Sequence, residues 1–160
     1  MTETPILPET QDRAMRYQTL IPQIKALIQD EDDLIASLAN TAAGIFQGFG
    51  FLWVGFYLVK DSELVLGPFQ GPTACTRIKL GQGVCGQSWA QRKTLLIDHV
   101  DDFPGHIVCS SASKSEIVVP IFVANQVVGV LDIDSLHLSD FSDIDRLALE
   151  DLNRVLAAKF

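Results

Sequence analysis

Residues 116–133 constrain this chain most. Two strongly apolar runs, 116–123 and 126–133, flank the pair Ala124-Asn125. Aliphatic and β-branched runs parted by two turn residues predict an antiparallel hairpin. A hairpin this apolar must be covered on both faces, so the remaining segments have to supply its cover. The longest uninterrupted apolar stretch, Ile117 to Ala124, contains Pro120 and falls short of the 18 or so residues that a membrane-spanning helix needs.

The flanking segments supply helices. Residues 1–10, with Pro5 and Pro8, read as a loose arm. From Gln11, apolar residues at Ala14, Tyr17, Leu20, Ile21, Ile24, Leu27 and Ile28 follow a helical period, with a kink or break expected at Pro22. The acidic run Asp30–Asp33 suits a second helix start. That helix carries Leu34, Ile35, Leu38, Ala42, Ile45 and Phe46 and should end at Gly48 and Gly50.

Strands are expected at 51–60, 63–66, 76–80 and 94–97, with Gly67-Pro68 and Gly71-Pro72 as punctuation. A brief helix fits 84–92, and a last helix, capped by Ser139 or Ser142, carries Ile144, Leu147, Leu149, Leu152, Val155 and Leu156. Residues 98–115 have no periodicity, and irregular segments of that length are usually functional. The order predicts a single α+β domain over residues 1–160. Its antiparallel sheet has helices packed on one face and a loop-covered ligand pocket on the other.

Composition narrows the partners. Twelve Lys and Arg against 20 Asp and Glu give a net charge of −8, a poor match for nucleic acid or an anionic membrane. The first residues, Met-Thr-Glu-Thr-Pro, lack the basic and apolar regions of a secretory signal, which leads us to expect a cytoplasmic protein. Three cysteines, Cys75, Cys85 and Cys109, make an odd set, which argues against a secreted disulfide framework. No C-x-x-C pair exists, and the three His show no zinc-like spacing with the Cys. Buried structural thiols or redox chemistry remain.

Period two sorts the first long strand. Leu52, Val54, Phe56 and Leu58 share one uniformly apolar face suited to helices. Phe51, Trp53, Gly55, Tyr57 and Val59 share the other, and two aromatics with polar tips beside a Gly suit a small-molecule pocket or ordinary core packing. Asp132 and Asp134, at i and i+2, point to one face near the end of the last strand, and Glu116 opens its partner. Three carboxylates entering a sheet must be paired or near water; grouped, they could bind an ammonium group or hold one member protonated. Alternatively, Asp134 begins a turn and Glu116 is solvated. Cys109 lies in the long loop before Ser110-Ser111-Ala112-Ser113, whose backbone N–H groups could receive a carboxylate. Cys75 is also in a loop. Cys85 lies near a helix start, where the dipole would lower its pKa.

Five motifs connect these residues: Trp53-Val-Gly-Phe-Tyr57, Gly67-Pro-Phe-Gln-Gly71, Gly81-Gln-Gly-Val-Cys85-Gly86, Ser113-Lys-Ser-Glu116-Ile-Val-Val-Pro120 and Val130-Leu-Asp132-Ile-Asp134-Ser135. The set resembles the GAF-domain family and, through its three cysteines, the stand-alone free methionine-(R)-sulfoxide reductases. The resemblance implies an enzyme that binds free methionine-(R)-sulfoxide, with Glu116, Asp132 and Asp134 at the ammonium group and Trp53 and Tyr57 at the sulfur end. It implies Cys109 as nucleophile and sulfenic acid, Cys75 as its disulfide partner, and Cys85 as a relay or a bystander. It also implies thioredoxin or a similar dithiol as reductant, no metal or organic cofactor, and a homodimer formed through the N-terminal helices. The rival expectation is a ligand-sensing GAF module, disfavoured by the thiols and by the lack of an output domain in 160 residues.

Overall fold

A computed structural model of the chain describes residues 4–107, 109 and 111–160. Six strands form one antiparallel sheet: β1 (Trp53–Lys60), β2 (Glu63–Gln70), β3 (Arg77–Lys79), β4 (Leu95–Ile97), β5 (Ser115–Val123) and β6 (Gln126–Ser135), in the order β3-β2-β1-β6-β5-β4. The expected hairpin is β5–β6. Ala124 and Asn125 both have positive φ, 48° and 64°, as a two-residue turn matching the twist of its strands requires. Pro120 fits inside β5 because β4 pairs only with Glu116, Ile117 and Val118, leaving the flank beside the proline without a ladder to break.

Helices α1 (Arg13–Ile28), α2 (Leu34–Phe49) and α4 (Asp143–Ala157) cover one face. Asp12, Asp33 and Ser142 cap their N-termini, each side chain accepting a backbone N–H, so Ser142 and not Ser139 starts the last helix. Asn153 of α4 donates to the carbonyls of Val119 and Pro120 at 3.0 and 3.3 Å. Val54, Phe56 and Leu58 of β1 meet these helices.

Tertiary packing overrides several local signals. α1 runs unbroken through Pro22, since Tyr17, Leu20, Ile21, Ile24 and Ile28 are buried on both sides of the proline. α2 passes Gly48 and ends at Gly50, which takes the left-handed conformation at φ 68°. β2 continues through Gly67-Pro68 instead of stopping at Leu66. A bulge between Gly55 and Tyr57 of β1 absorbs those two residues, which is where a strand tolerates proline. Ile144 and Leu147 are exposed and do not join the buried stripe of α4, which consists of Leu149, Leu152 and Leu156. Phe51 and Leu52 precede the strand and fall outside its alternation: Phe51 joins the helix-side core, and Leu52 lines the opposite face.

Residues 4–12 have irregular backbone, but the arm is tied down: Ile6 exchanges two hydrogen bonds with the Gln23 side chain. Among the described residues no helix is long and apolar enough to cross a membrane.

The other face of the sheet is covered by α3 (Gly83–Gln91), the segment before β3 and the loop before β5. α3 is seated closely. A Cβ on Gly86 would come within 2.4 Å of the Lys79 carbonyl oxygen.

Candidate active site

Register builds the floor of the site. Glu116 on β5 pairs with Asp134 on β6, which pairs with Trp53 on β1. In the next row of that face, Val118 pairs with Asp132, which pairs with Gly55. The period of two therefore brings together the aromatics and carboxylates anticipated from sequence. Gly55 makes the room: a Cβ there would lie 2.4 Å from the Trp53 ring, which leans across it.

The walls are tied to the floor. The Trp53 indole N–H donates to the Pro72 carbonyl at 3.0 Å, and the Tyr57 hydroxyl donates to the Cys75 carbonyl at 2.9 Å. Gly71, at φ 128°, lets this segment cross over Leu52, where a Cβ would meet the carbonyl oxygen at 2.7 Å. The loop before β5 brings in His106, Ile107, Cys109 and Ser113, and α3 brings in Val84 and Cys85. Together they line a cavity of about 50 Å³.

Cys75 and Cys109 form a disulfide with a Cα–Cα distance of 5.7 Å, joining the two loops, with Cys109 lining this cavity. Cys109 is exposed and Cys75 half-buried, whereas Cys85 is a buried free thiol. The helix start does not lower the Cys85 pKa, as its position in the sequence suggested. Burial first, then the neighbouring Asp132 and Glu116, push it well up. Ser110 lies outside the described residues, so the loop N–H groups proposed to receive a carboxylate are placed only in part.

The carboxylates sit in a site with little water. Glu116 and Asp132 are 5% and 6% exposed, and Asp134 is half-buried. Burial, then Asp132 and Asp134, lift the Glu116 pKa well above the carboxylate range. Burial and Asp132 do the same to Asp134, partly offset by the Ser113 hydroxyl, which donates to its Oδ1 at 2.7 Å. Burial lifts Asp132 only to about 6, because hydrogen bonds from Glu116 and the Cys85 thiol favour its charged form. Of the three, Asp132 is the one whose charged form its neighbours favour, while burial and mutual repulsion favour the protonated forms of Glu116 and Asp134. The Asp132 Oδ1 is buried without an ordinary hydrogen-bond donor. The Tyr57 hydroxyl is held protonated by burial and by Asp132.

This electrostatics has a sign that can be measured. A carboxyl whose pKa rises on folding loses stabilising effect as pH climbs through the window between its unfolded and folded values. For Asp132 that window runs from 3.8 to about 6. Asp132→Asn is therefore expected to raise the Tm of the ligand-free disulfide form by roughly 4–8 °C at pH 8 and by little at pH 4. Equal gains at both pH values would contradict the buried-charge reading.

The family model of the GAF domain matches residues 29–158. The chain is 47% identical over 137 residues to free methionine-R-sulfoxide reductase of Escherichia coli (strain K12), an alignment covering 85% of this chain and 83% of that protein. The chain belongs to the free methionine-R-sulfoxide reductase family of GAF-domain oxidoreductases. It is also 52% identical over 142 residues to GAF domain-containing protein A of Dictyostelium discoideum, covering 88% and 90% of the two chains. Its fold matches the X-ray structure of free methionine-R-sulfoxide reductase from Neisseria meningitidis in complex with its substrate, with a TM-score of 0.96, 49% identity and coverage of 100% and 96%. The GAF fold and the family suggested by the five motifs are both borne out.

Within this family fold, sequence reasoning missed some of the pocket. His106 lines it, with Nε2 4.0 Å from Glu116 Oε2; burial lowers its pKa, with Asp101 opposing. Ser113 holds Asp134. Both lie in the aperiodic loop, where no repeat marks a face. His106 carried one signal: its place between Pro104-Gly105 and Cys109.

Proposed function

We propose that this chain reduces free L-methionine-(R)-sulfoxide to methionine. The observation that carries the reading is the Cys75–Cys109 disulfide, whose Cys109 lines a pocket floored by Glu116, Asp132 and Asp134 beside Trp53 and Tyr57. An ionised Asp132 suits an α-ammonium group, and the two aromatics suit a thioether with its methyl group. Glu116 or Asp134, each with its pKa pushed up chiefly by burial, suits the sulfoxide oxygen as proton donor.

The chemistry balances without a metal or an organic cofactor. The Cys109 thiolate attacks the sulfoxide sulfur as the oxygen is protonated. The oxygen passes to Cys109, methionine leaves, and Cys109 remains as sulfenic acid. The Cys75 thiol attacks that sulfur, water leaves, and the disulfide forms. An external dithiol such as thioredoxin takes over the disulfide and releases both thiols. We place this cycle in the cytoplasm, where such dithiols are maintained. We assign the enzyme as a homodimer meeting through the N-terminal helices, in keeping with the apolar groove where Ala14, Ile21 and Pro22 of α1 lie beside the exposed Ile144 and Leu147 of α4.

Turnover of the free sulfoxide with dithiothreitol tests the reading, and absence of methionine formation would overturn it. Cys75→Ser tests the recycling step. It is expected to release about one methionine per chain and then turn over at a few per cent of the wild-type rate with thioredoxin. Normal turnover in Cys75→Ser, with failure in Cys85→Ser, would reassign the resolving thiol.

A further inference from the structure

We propose that Cys85 is a positioning residue: its S–H donates to the Asp132 carboxylate and holds that carboxylate ready for the substrate's ammonium group. The inference rests on the substrate reading above and assigns the third thiol a role outside the redox cycle.

Three observations carry it. The Cys85 sulfur and the carboxylate oxygens of Glu116 and Asp132 all lie within 4.8 Å of one another, on buried side chains. The disulfide forms between Cys75 and Cys109 while Cys85 remains a free, buried thiol. α3 also has little freedom to deliver Cys85 elsewhere. Gly81 donates to the Gly86 carbonyl at 2.9 Å, Gly86 donates to Gln82 at 2.9 Å, and Gly86 admits no Cβ against Lys79. A relay thiol must reach the other sulfurs, whereas a positioning thiol needs only to stay beside Asp132, where the fold already holds it.

The groups facing Asp132 are Glu116 from β5, Asp134 from β6, Tyr57 from β1 and Cys85 from α3, with His106 beside Glu116. A donor to the charged form of Asp132 lowers its pKa, so loss of the Cys85 donor raises it. Substrate binding should then fail at a higher pH than in the wild type.

The test is kcat and KM for free methionine-(R)-sulfoxide with dithiothreitol from pH 5.5 to 8.5, in wild type, Cys85→Ala and Cys85→Ser. Cys85→Ala is expected to shift the acid limb of kcat/KM upward by about one pH unit. Its KM should rise about threefold near pH 6.5 and about eightfold at pH 5.5 and recover at pH 8.5, with kcat within about twofold of wild type. Cys85→Ser keeps a donor and should restore the wild-type limb. In both variants one methionine should still form one Cys75–Cys109 disulfide. An unshifted limb in Cys85→Ala overturns the proposal, and so does a collapse of kcat in both variants, which marks a relay thiol. If the alanine variant does not fold, the serine variant decides: a wild-type limb and turnover support the proposal, and lost turnover overturns it. An inactive wild-type chain overturns the proposed function and this inference with it, whereas an active wild type with an unshifted variant overturns this inference alone.

Discussion

Cys109→Ser is expected to abolish methionine release while leaving the fold intact. Cys109 is exposed, lines the same pocket as the carboxylates and is bonded to Cys75. An alcohol is a far weaker nucleophile than a thiolate, and the other pocket thiol is a poor replacement: Cys85 is buried with its pKa pushed well up. The rate should fall by at least roughly a thousandfold. The variant lacks the disulfide, so its fold is compared with the reduced wild type by near-UV circular dichroism. Single-turnover methionine release by Cys109→Ser near the wild-type rate would move the nucleophile elsewhere.

Capping the substrate is the second large effect. N-acetylated, C-amidated methionine-(R)-sulfoxide has no ammonium group, and the Asp132 carboxylate would be left in a buried site without its counter-charge. An uncompensated buried charge costs about 3–5 kcal/mol. Since about 1.4 kcal/mol is tenfold, the free amino acid should be preferred in kcat/KM by roughly a hundredfold or more. Comparable kcat/KM values for the two compounds would remove the role assigned to the carboxylates.

The site was legible where a period fixes a face. On β1, alternation separated Trp53 and Tyr57 from Val54, Phe56 and Leu58, and the structure places the two sets against different cores. Asp132 and Asp134 needed only their i, i+2 spacing, and Glu116 the opening of the partner strand, to land on the same floor. Alternation failed at Phe51 and Leu52 because the strand does not begin until Trp53. Local breakers misled where long-range pairing outweighed them: Pro22 lies within α1 and Gly67-Pro68 within β2. The Cys85 environment was beyond reach for the same reason. Its helix position was readable, but the carboxylates that dominate its chemistry arrive from β5 and β6, more than thirty residues later in the chain. The roles of Cys109 and Cys75 came from family resemblance, since no spacing rule pairs two loop thiols.

The central claim is that free methionine-(R)-sulfoxide oxidises this chain through two of its three thiols. The direct measurement is a thiol count on fully reduced protein before and after one equivalent of the free (R)-sulfoxide, with methionine quantified and the cross-linked peptide identified by mass spectrometry. The account predicts one methionine per chain, loss of two thiols, a Cys75–Cys109 link and an intact Cys85. A chain that keeps all three thiols and yields no methionine, as a ligand sensor would, contradicts it.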